Sequence, residues 1–480
     1  MCTLNALEYD TYETDETTID TITASTNIAA HTANTNELCK KCGCQDVRIS
    51  LRGKHRYCKI CFLSMLTHKF RATLGKSKLV RPSDTILIEH SGKANSNVLI
   101  HLIKANESEP ANKKLKFQCK ILYVDDGMVK GCTVKERELI RNALAKEADN
   151  LQLTTYVAPL TEDTTNILCE EIQSINAGGV NTASNDAVMQ KMFNSLDSDT
   201  AKDELLRQLR RKLLVSIAHK LNCNKVFVAD TSVDLAIKVL TDVSTGRGYQ
   251  LSSNVGFSDT RCPDVTLLRP LRDFTREDIA GYLECCELTP ILNSINYTEP
   301  FPASIRSTTK NFVHELDSEF YSTVSTIYRT SEKLGTKIEE HSKVNVKSDN
   351  DANADVNETC VLCELSLDLN SIQEGQLSVV QARIFSELVS TFTDSSSSTT
   401  SKEVNDSEEK HCRCNNTACT PPRTQPLQPD TIKKYLCYGC KLIFFNSNQK
   451  FTELPKFLND KIQEKLRIMH LREQITNFLL

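Results

Sequence analysis

Five short apolar runs, each leading into a longer stretch of helical period, occupy the middle of the chain. The first, 85–90 (Thr85-Ile86-Leu87-Ile88-Glu89-His90), reads as a buried strand and is followed by a helix over 97–106. A polar insertion, 107–116, precedes a strand over 117–125 and a helix over 134–149. A short strand near 154–158 and a polar excursion through 159–200 lead to an amphipathic helix, Lys202 to Leu221. Strand 225–229, helix 233–241, strand 265–270 and helix 275–285 continue the alternation. Strands alternating with helices predict an α/β fold with a parallel, doubly wound sheet and right-handed crossovers. Outside this region, Cys61 to Lys76 carries Phe62, Met65, Leu66, Phe70 and Leu74 on one helical side. Residues 310–334 are helical by the same test, and Lys456 to Leu471 forms a basic amphipathic helix near the end.

Polar stretches set the expected boundaries. Residues 1–37 form an acidic tail without apolar period and are expected to be disordered. A Cys-rich module with its basic helix is expected over 38–83, the α/β domain over 84–335, a linker over 336–358, and a second Cys-rich module over 359–480. The last contains the run Asp394-Ser395-Ser396-Ser397-Ser398-Thr399-Thr400-Ser401, which cannot bury enough surface to fold and is expected to be a flexible insertion. With 480 residues there is room for more than one domain, and 39% hydrophobic and 25% charged residues exclude wholesale disorder.

Net charge is −4, but it is segregated: residues 1–38 hold seven acids and no Lys or Arg, while 40–81 hold twelve Lys/Arg against Asp46 alone. A polyanion would be drawn to the second segment. Lys54, Arg56, Lys69, Arg71 and Lys76 are its candidate RNA-binding residues, and a solvated charged face is the plainer alternative. No run of eighteen apolar residues and no secretory signal is present, so the twenty cysteines are expected in a reducing compartment, where CxxC pairs bind metal more often than they cross-link.

Cys39-x2-Cys42 and Cys58-x2-Cys61 have the spacing of a zinc ribbon, in which two knuckle turns around a short hairpin (47–57) would present four thiolates. Four unrelated buried cysteines are the alternative, and Cys44 is read as a spectator. Cys360, Cys363, Cys437 and Cys440 are candidates for a second set, with Cys412, Cys414 and Cys419 as competitors for any of its places. Inside the α/β domain no CxxC exists, so the paired cysteines that sulfur transfer needs are not found there.

The loop after the first strand, Ser91-Gly92-Lys93-Ala94-Asn95-Ser96, resembles the Ser-Gly-Gly-x-Asp-Ser loop of PP-loop ATP pyrophosphatases, with Lys93 for the second glycine and Asn95 for the acid. Ser91, Gly92, Ser96 and Asp125, at the end of the second strand, are its candidate nucleotide-binding residues. The alternative is a helix-capping loop in which Ser91, Asn95 or Ser96 bonds the first amides. Catalysis would need close phosphate approach and a metal-supporting acid, and both altered positions withhold them. Gly246-Arg247-Gly248, Asp259-x-Arg261 and Arg269-Pro270-Leu271-Arg272-Asp273 suit either phosphates or salt bridges between elements.

The N-terminal cysteine set, the string His68-Lys69-Phe70-Arg71-Ala72-x-Leu74-Gly75-Lys76, the altered loop, the Gly-Arg-Gly and Arg-Pro-Leu-Arg-Asp strings and the C-terminal CxxC pairs together resemble the family of cytoplasmic tRNA 2-thiolation protein 2. The likeness covers 38–335 and, more loosely, 360–470. It implies a PP-loop, adenine nucleotide alpha hydrolase-like fold flanked by zinc ribbons. It also implies a cytoplasmic, non-catalytic or weakly catalytic subunit with no catalytic residue of its own, zinc as cofactor and ATP in doubt at the altered loop. Its partner would be an active PP-loop subunit that thiolates the wobble uridine of tRNAs for Lys, Gln and Glu, using sulfur from a thiocarboxylated ubiquitin-like carrier. Two other readings stay open: an ATP-dependent tRNA sulfurtransferase active by itself, and a zinc-ribbon RNA-binding adaptor unrelated to thiolation.

Overall fold

A computed structural model describes residues 38–51, 55–107, 110, 114–161, 172–175, 183–294, 300–320, 322–344, 359–365, 367, 427–445 and 454–478. The expected acidic tail, Lys54, the serine run, Cys412, Cys414 and Cys419 lie outside them.

The chain enters through a hairpin, β1 (Ile49–Leu51) and β2 (His55–Tyr57), and helix α1 (Lys59–Ser77). The α/β body follows: β3 (Thr85–Glu89), α2 (Ala94–Glu107), β4 (Gln118–Asp125), α3 (Val134–Leu151), β5 (Thr155–Pro159), β6 (Gln173–Ser174), α4 (Ala183–Asn194), α5 (Asp199–Lys220), β7 (Lys225–Phe227), α6 (Ser232–Ser244), α7 (Leu251–Val255), β8 (Ser258–Asp259), β9 (Thr266–Leu268) and α8 (Arg276–Cys286). Helices α9 (Ile305–Glu319) and α10 (Thr323–Val344) come next. The last described elements are α11 (Pro429–Lys434), α12 (Tyr438–Phe444) and α13 (Lys456–Phe478).

The large sheet has the order β6-β5-β4-β3-β7-β9-β8. Its five inner strands are parallel, as the alternation predicts, whereas the two-residue edge strands β6 and β8 run antiparallel. Such short edges carry no apolar run and are invisible to a period-two test; an antiparallel edge on a parallel sheet is common. Helix starts follow local chemistry: Thr133 with Glu136, Thr231 with Asp234 and Thr275 with Asp278 form reciprocal capping boxes on α3, α6 and α8.

Alternation in β3 sends Leu87 to one face and Ile86 and Ile88 to the other. The first face is covered by α5, through Leu205, Leu209, Leu213 and Ile217, and by the C-terminal cysteine module, whose Leu362, Leu436, Phe444 and Leu458 join the same core. The second face is covered by α2, α8 and α1, the last through Phe62, Leu66, Phe70 and Leu74. Helix α1 sits close because Gly281 of α8 leaves room: a Cβ there would lie 2.8 Å from the Phe62 ring. The two cysteine modules are therefore built onto opposite faces of one sheet.

The stretch expected as one helix over 310–334 is two, α9 and α10, broken near Phe320, and α10 runs on to Val344. Helix α4 stands in the region read as a polar excursion.

Candidate functional site

The chain leaves β3 toward β4 and β5, then returns to the other side of β3 as β7. In open α/β sheets the crevice at such a reversal, beyond the strand C-termini, is where ligands bind. Here it is a cleft of about 310 Å³ bordered by Ser91 and Lys93 after β3, Asp126 after β4 and Asp230 after β7.

The loop over 91–96 has turned its polar groups upon itself. Ser96 is fully buried, and its hydroxyl accepts from the Ser91 amide at 3.2 Å and the Ser91 hydroxyl at 3.1 Å. The same oxygen donates to the Lys93 carbonyl at 2.9 Å and lies 3.1 Å from His90 Nδ1. That ring nitrogen also receives the Gly92 amide at 3.4 Å, and the other, Nε2, meets Glu147 at 2.9 Å. The Ser91 and Gly92 amides are thus bonded locally, to Ser96 and His90. Gly92 is required at its φ of +74°, a region unfavourable to side chains, but the space above it is filled by Leu292.

Asn95 donates to Asp234 at 2.8 Å, and Asp234 also accepts the Thr231 amide and hydroxyl. This ties the start of α2 to the start of α6. The candidate Asp125 points away from the cleft: Arg137 Nε donates to both of its oxygens at 3.0 Å, and the Gly127 amide to one. Its neighbour Asp126 borders the cleft instead, bonded by Arg210 and, at 2.6 Å, by Lys130. Alternation at the end of β4 decides which of two adjacent acids faces in, and the strand's terminus is not readable to one residue from sequence.

Other acids of the cleft are similarly held. Glu89 pairs with Arg210, Asp230 with Lys238 and Arg269, and Asp259 with Arg211 and Arg261. Burial alone would raise the Asp230 carboxyl, but the two cations outweigh it and bring it to about 2. Lys93 reaches into the cleft; the surrounding walls, followed by the charges of Lys130, Arg306 and Lys310, lower its ammonium to about 8.

The arginine strings resolve into struts. Arg269 also donates to the Gly256 carbonyl at 2.6 Å. Arg272 bridges to Glu332 of α10 at 2.7 Å, and Asp273 accepts from Tyr328 at 2.7 Å. Arg247, only 1% exposed, serves the C-terminal cysteines: its Nη1 lies 3.5 Å from Cys440 Sγ.

Four sulfurs, from Cys360, Cys363, Cys437 and Cys440, lie within 4.8 Å of one another and are buried. In the N-terminal module the sulfurs of Cys39, Cys42, Cys44 and Cys58 do so, and Cys61 adjoins them, its thiol raised to about 12 by lost solvation and by Cys42 and Cys58. The two modules share a local design. Cys39 donates its amide to the Cys44 carbonyl and accepts from the Gly43 amide; Cys360 does the same with Leu365 and Glu364. Gly43 and Glu364 both have positive φ, +72° and +63°. Cys58 is the N-cap of α1 with Cys61 in the first turn, as Cys437 is of α12 with Cys440. The second pair of each module thus rides on a helix start and not on the second knuckle turn expected for a ribbon. Leu365 holds the place of Cys44, and Cys440 that of Cys61. Cys61 thus stands where Cys440 does, while the four sulfurs that lie within 4.8 Å of one another are those of Cys39, Cys42, Cys44 and Cys58.

Both sets fit a metal ion. Four soft sulfurs in a closed group suit a tetrahedral divalent ion, and the resulting double negative charge in the second set would be met by the buried Arg247 guanidinium, whose Nε has no hydrogen-bond partner among the described residues. A helix N-terminus at each second pair favours thiolate further.

Of the RNA candidates, Lys69 is engaged: it donates to Asp278 of α8 at 2.7 Å and lies over the Phe274 ring. Arg56 and Arg71 are half-buried, Lys76 is exposed, and Lys78 beside it is exposed as well.

The fold and these sites define an α/β protein with a PP-loop-like strand–loop–helix unit and two tetracysteine modules. A family model for cytoplasmic tRNA 2-thiolation protein 2 matches residues 304–442. Proteins of that name from Danio rerio (28% identical, 93% of this chain and 94% of the relative) and Anopheles gambiae (29%, 86% and 93%) align along most of the chain, and the Homo sapiens protein is 29% identical over 69% of the chain and 72% of its own length. Among solved structures, the U34-tRNA thiolase NcsA of Methanococcus maripaludis, described with its 4Fe-4S cluster, is similar at 17% identity and a TM-score of 0.44 over 62% of this chain and 87% of its own. The chain is thus similar along most of its length to proteins named cytoplasmic tRNA 2-thiolation protein 2.

Proposed function

We propose that the chain is the non-catalytic subunit of a cytoplasmic complex that 2-thiolates the wobble uridine of tRNAs for Lys, Gln and Glu. Its partner is an active PP-loop subunit, which takes sulfur from a thiocarboxylated ubiquitin-like carrier. The observation that carries this reading is the loop over 91–96. The Ser91 and Gly92 amides are bonded to Ser96 and His90, and Asn95, which stands in place of the acid, is bound to Asp234. Relatives bearing the thiolation name along nearly the whole chain supply the pathway.

In this reading the five-part division of the chain holds, both cysteine sets carry zinc, and the N-terminal module with Arg56, Arg71, Lys76 and Lys54 meets tRNA. The α/β body docks the catalytic partner, and ATP is turned over in that partner. Deleting the chain should remove 2-thiouridine from those tRNAs, read by mass spectrometry of nucleosides. The purified chain alone should show no ATP–pyrophosphate exchange, and the pair should. Normal thiouridine after deletion would leave an adaptor unrelated to thiolation; exchange by the single chain would make it an adenylating enzyme itself.

A further inference from the structure

Four thiols fill a tetrahedral site, and the N-terminal module brings five to one place. The sulfurs of Cys39, Cys42, Cys44 and Cys58 lie within 4.8 Å of one another, and Cys61 adjoins them in the first turn of α1. Among the described residues the C-terminal group has no fifth sulfur, because Leu365 holds the place in the knuckle that Cys44 holds in the first module. The modules differ in access as well. Cys360, Cys363, Cys437 and Cys440 are each at most 2% exposed, whereas Cys42 is exposed and Cys44 half-buried. The turn between Cys42 and Cys44 is open: Gly43 holds a φ of +72°, and a Cβ on it would meet nothing within 4 Å. Cys44 serves the knuckle through its carbonyl, which accepts from the Cys39 amide at 2.8 Å, so the knuckle does not need its thiol.

We propose that the N-terminal cysteine set is a peroxide-responsive metal site, in which Cys42 is the thiol oxidised first and Cys44 the thiol that resolves it. The Cys42 thiolate attacks one oxygen of hydrogen peroxide. The O–O bond breaks, the sulfur becomes a sulfenic acid, and the departing hydroxide takes a solvent proton to become water. The Cys44 sulfur then attacks the sulfenic sulfur, and the Cys42–Cys44 bond forms as the S–O bond breaks. The hydroxide expelled in this step leaves with the Cys44 proton as a second water. Each sulfur gives up one electron, and peroxide accepts both. Cys58 also lies near Cys42, at 3.7 Å, but it is buried and fixed at the N-cap of α1, while Cys44 lies on the open turn. Tying up Cys42 removes one ligand from a four-sulfur site, so the ion is released and the module it holds together loosens. In a reducing compartment such a disulfide is transient, and a dithiol reverses it. The five thiols carry this assignment independently of the thiolation reading.

The test treats the zinc-loaded full chain with hydrogen peroxide beside a chromogenic chelator and maps disulfides by mass spectrometry of its peptides. One of the two metal equivalents should be released as a Cys42–Cys44 disulfide forms, and a dithiol with added zinc should restore it. Cys44→Ser and Cys44→Ala should hold both equivalents before oxidant and release the first about fivefold more slowly or slower still, while a sulfenic acid on Cys42 becomes trappable by a dimedone-type probe. Release from both variants at the parental rate, loss of both equivalents together, or no release at all would overturn the proposal. So would a disulfide that omits Cys44 or joins it to any thiol but Cys42. A metal equivalent already missing from the two variants before oxidant would make Cys44 a ligand and overturn it too. Loss of 2-thiouridine on deletion tests the functional reading separately.

Discussion

Cys44 and Cys61 compete for the fourth place in the N-terminal cluster, and distance alone favours Cys44, whose sulfur lies within 4.8 Å of the other three. The backbone favours Cys61. Cys44 contributes its carbonyl to the knuckle, a role any residue can play, as Leu365 does in the second module. Cys61→Ser should therefore remove one metal equivalent per chain and make 39–61 protease-sensitive, because ligation supplies on the order of 10 kcal/mol to so small a unit. Cys44→Ser should leave the metal in place. The reverse pattern in elemental analysis would reassign the ligand. At Asp230 the balance is electrostatic. Its carboxyl is near 2 in the folded chain against 3.8 for the free group, so its stabilisation is complete above 3.8 and disappears as pH falls from 3.8 toward 2. Asp230→Asn should cost roughly 2–4 kcal/mol at neutral pH, since Lys238 and Arg269 lose their partner. The gap to the parent should narrow in that acid window; a gap constant from pH 7 to 3 would show the aspartate is not ionised by that pairing.

Helix α1 looks like an RNA-binding element when its charges are counted and like a packing element when its neighbours are. The packing belongs to one side, and the tRNA contact proposed above would fall to the other. Lys69 is spent on Asp278, which also caps α8, so Lys69→Ala should cost on the order of 2 kcal/mol of stability while changing the salt slope of tRNA binding little. Lys76→Ala with Lys78→Ala should do the opposite, lowering the slope by roughly one unit for each phosphate no longer neutralised, without moving the melting temperature. Equal effects of both changes on binding would mean Lys69 leaves Asp278 to meet RNA. The division was hidden in the sequence because Asp278 lies 209 positions away. The same holds for Arg247, whose cysteine partner is 193 positions on, and for Asp259-x-Arg261, where a local pair is completed by Arg211. Periodicity, by contrast, is local: it placed the five inner strands and most of the helices between them, though not α4, and the Thr-x-x-Asp/Glu boxes that cap α3, α6 and α8 are equally local. It failed where an element is too short to show a period, as at β6 and β8, or where two helices with similar apolar faces abut, as at α9 and α10.

At the scale of the molecule the two cysteine modules act on different cores. The C-terminal set is enclosed by side chains that also pack on α5 and on Leu87 of the sheet, while α1 packs with α2 and α8 on the opposite face. The approach between Gly-Arg-Gly and the second CxxC pair is close: a Cβ on Gly439 would stand 2.6 Å from Arg247, and one on Gly246 would stand 2.4 Å from Tyr438. Arg211 and Lys212 of α5 add ion pairs to Glu364 at 2.7 and 2.6 Å. Loss of metal from Cys360, Cys363, Cys437 and Cys440 should therefore be felt along α5 and not first in α1. In Cys437→Ser with Cys440→Ser, hydrogen exchange should accelerate in α11, α12 and the second half of α5, where Leu213, Leu214 and Ile217 lose their cover, while α2 and α8 keep their protection. Cys58→Ser should give the complementary pattern, opening α1 and the hairpin and sparing α5. Gly439→Ala, which leaves all four ligands but pushes Arg247 aside, should reproduce the first pattern in weaker form at a cost of roughly 1–3 kcal/mol. Uniform loss of protection in all three variants would mean that the sheet's two faces unfold as one unit and that neither module has a core of its own to guard.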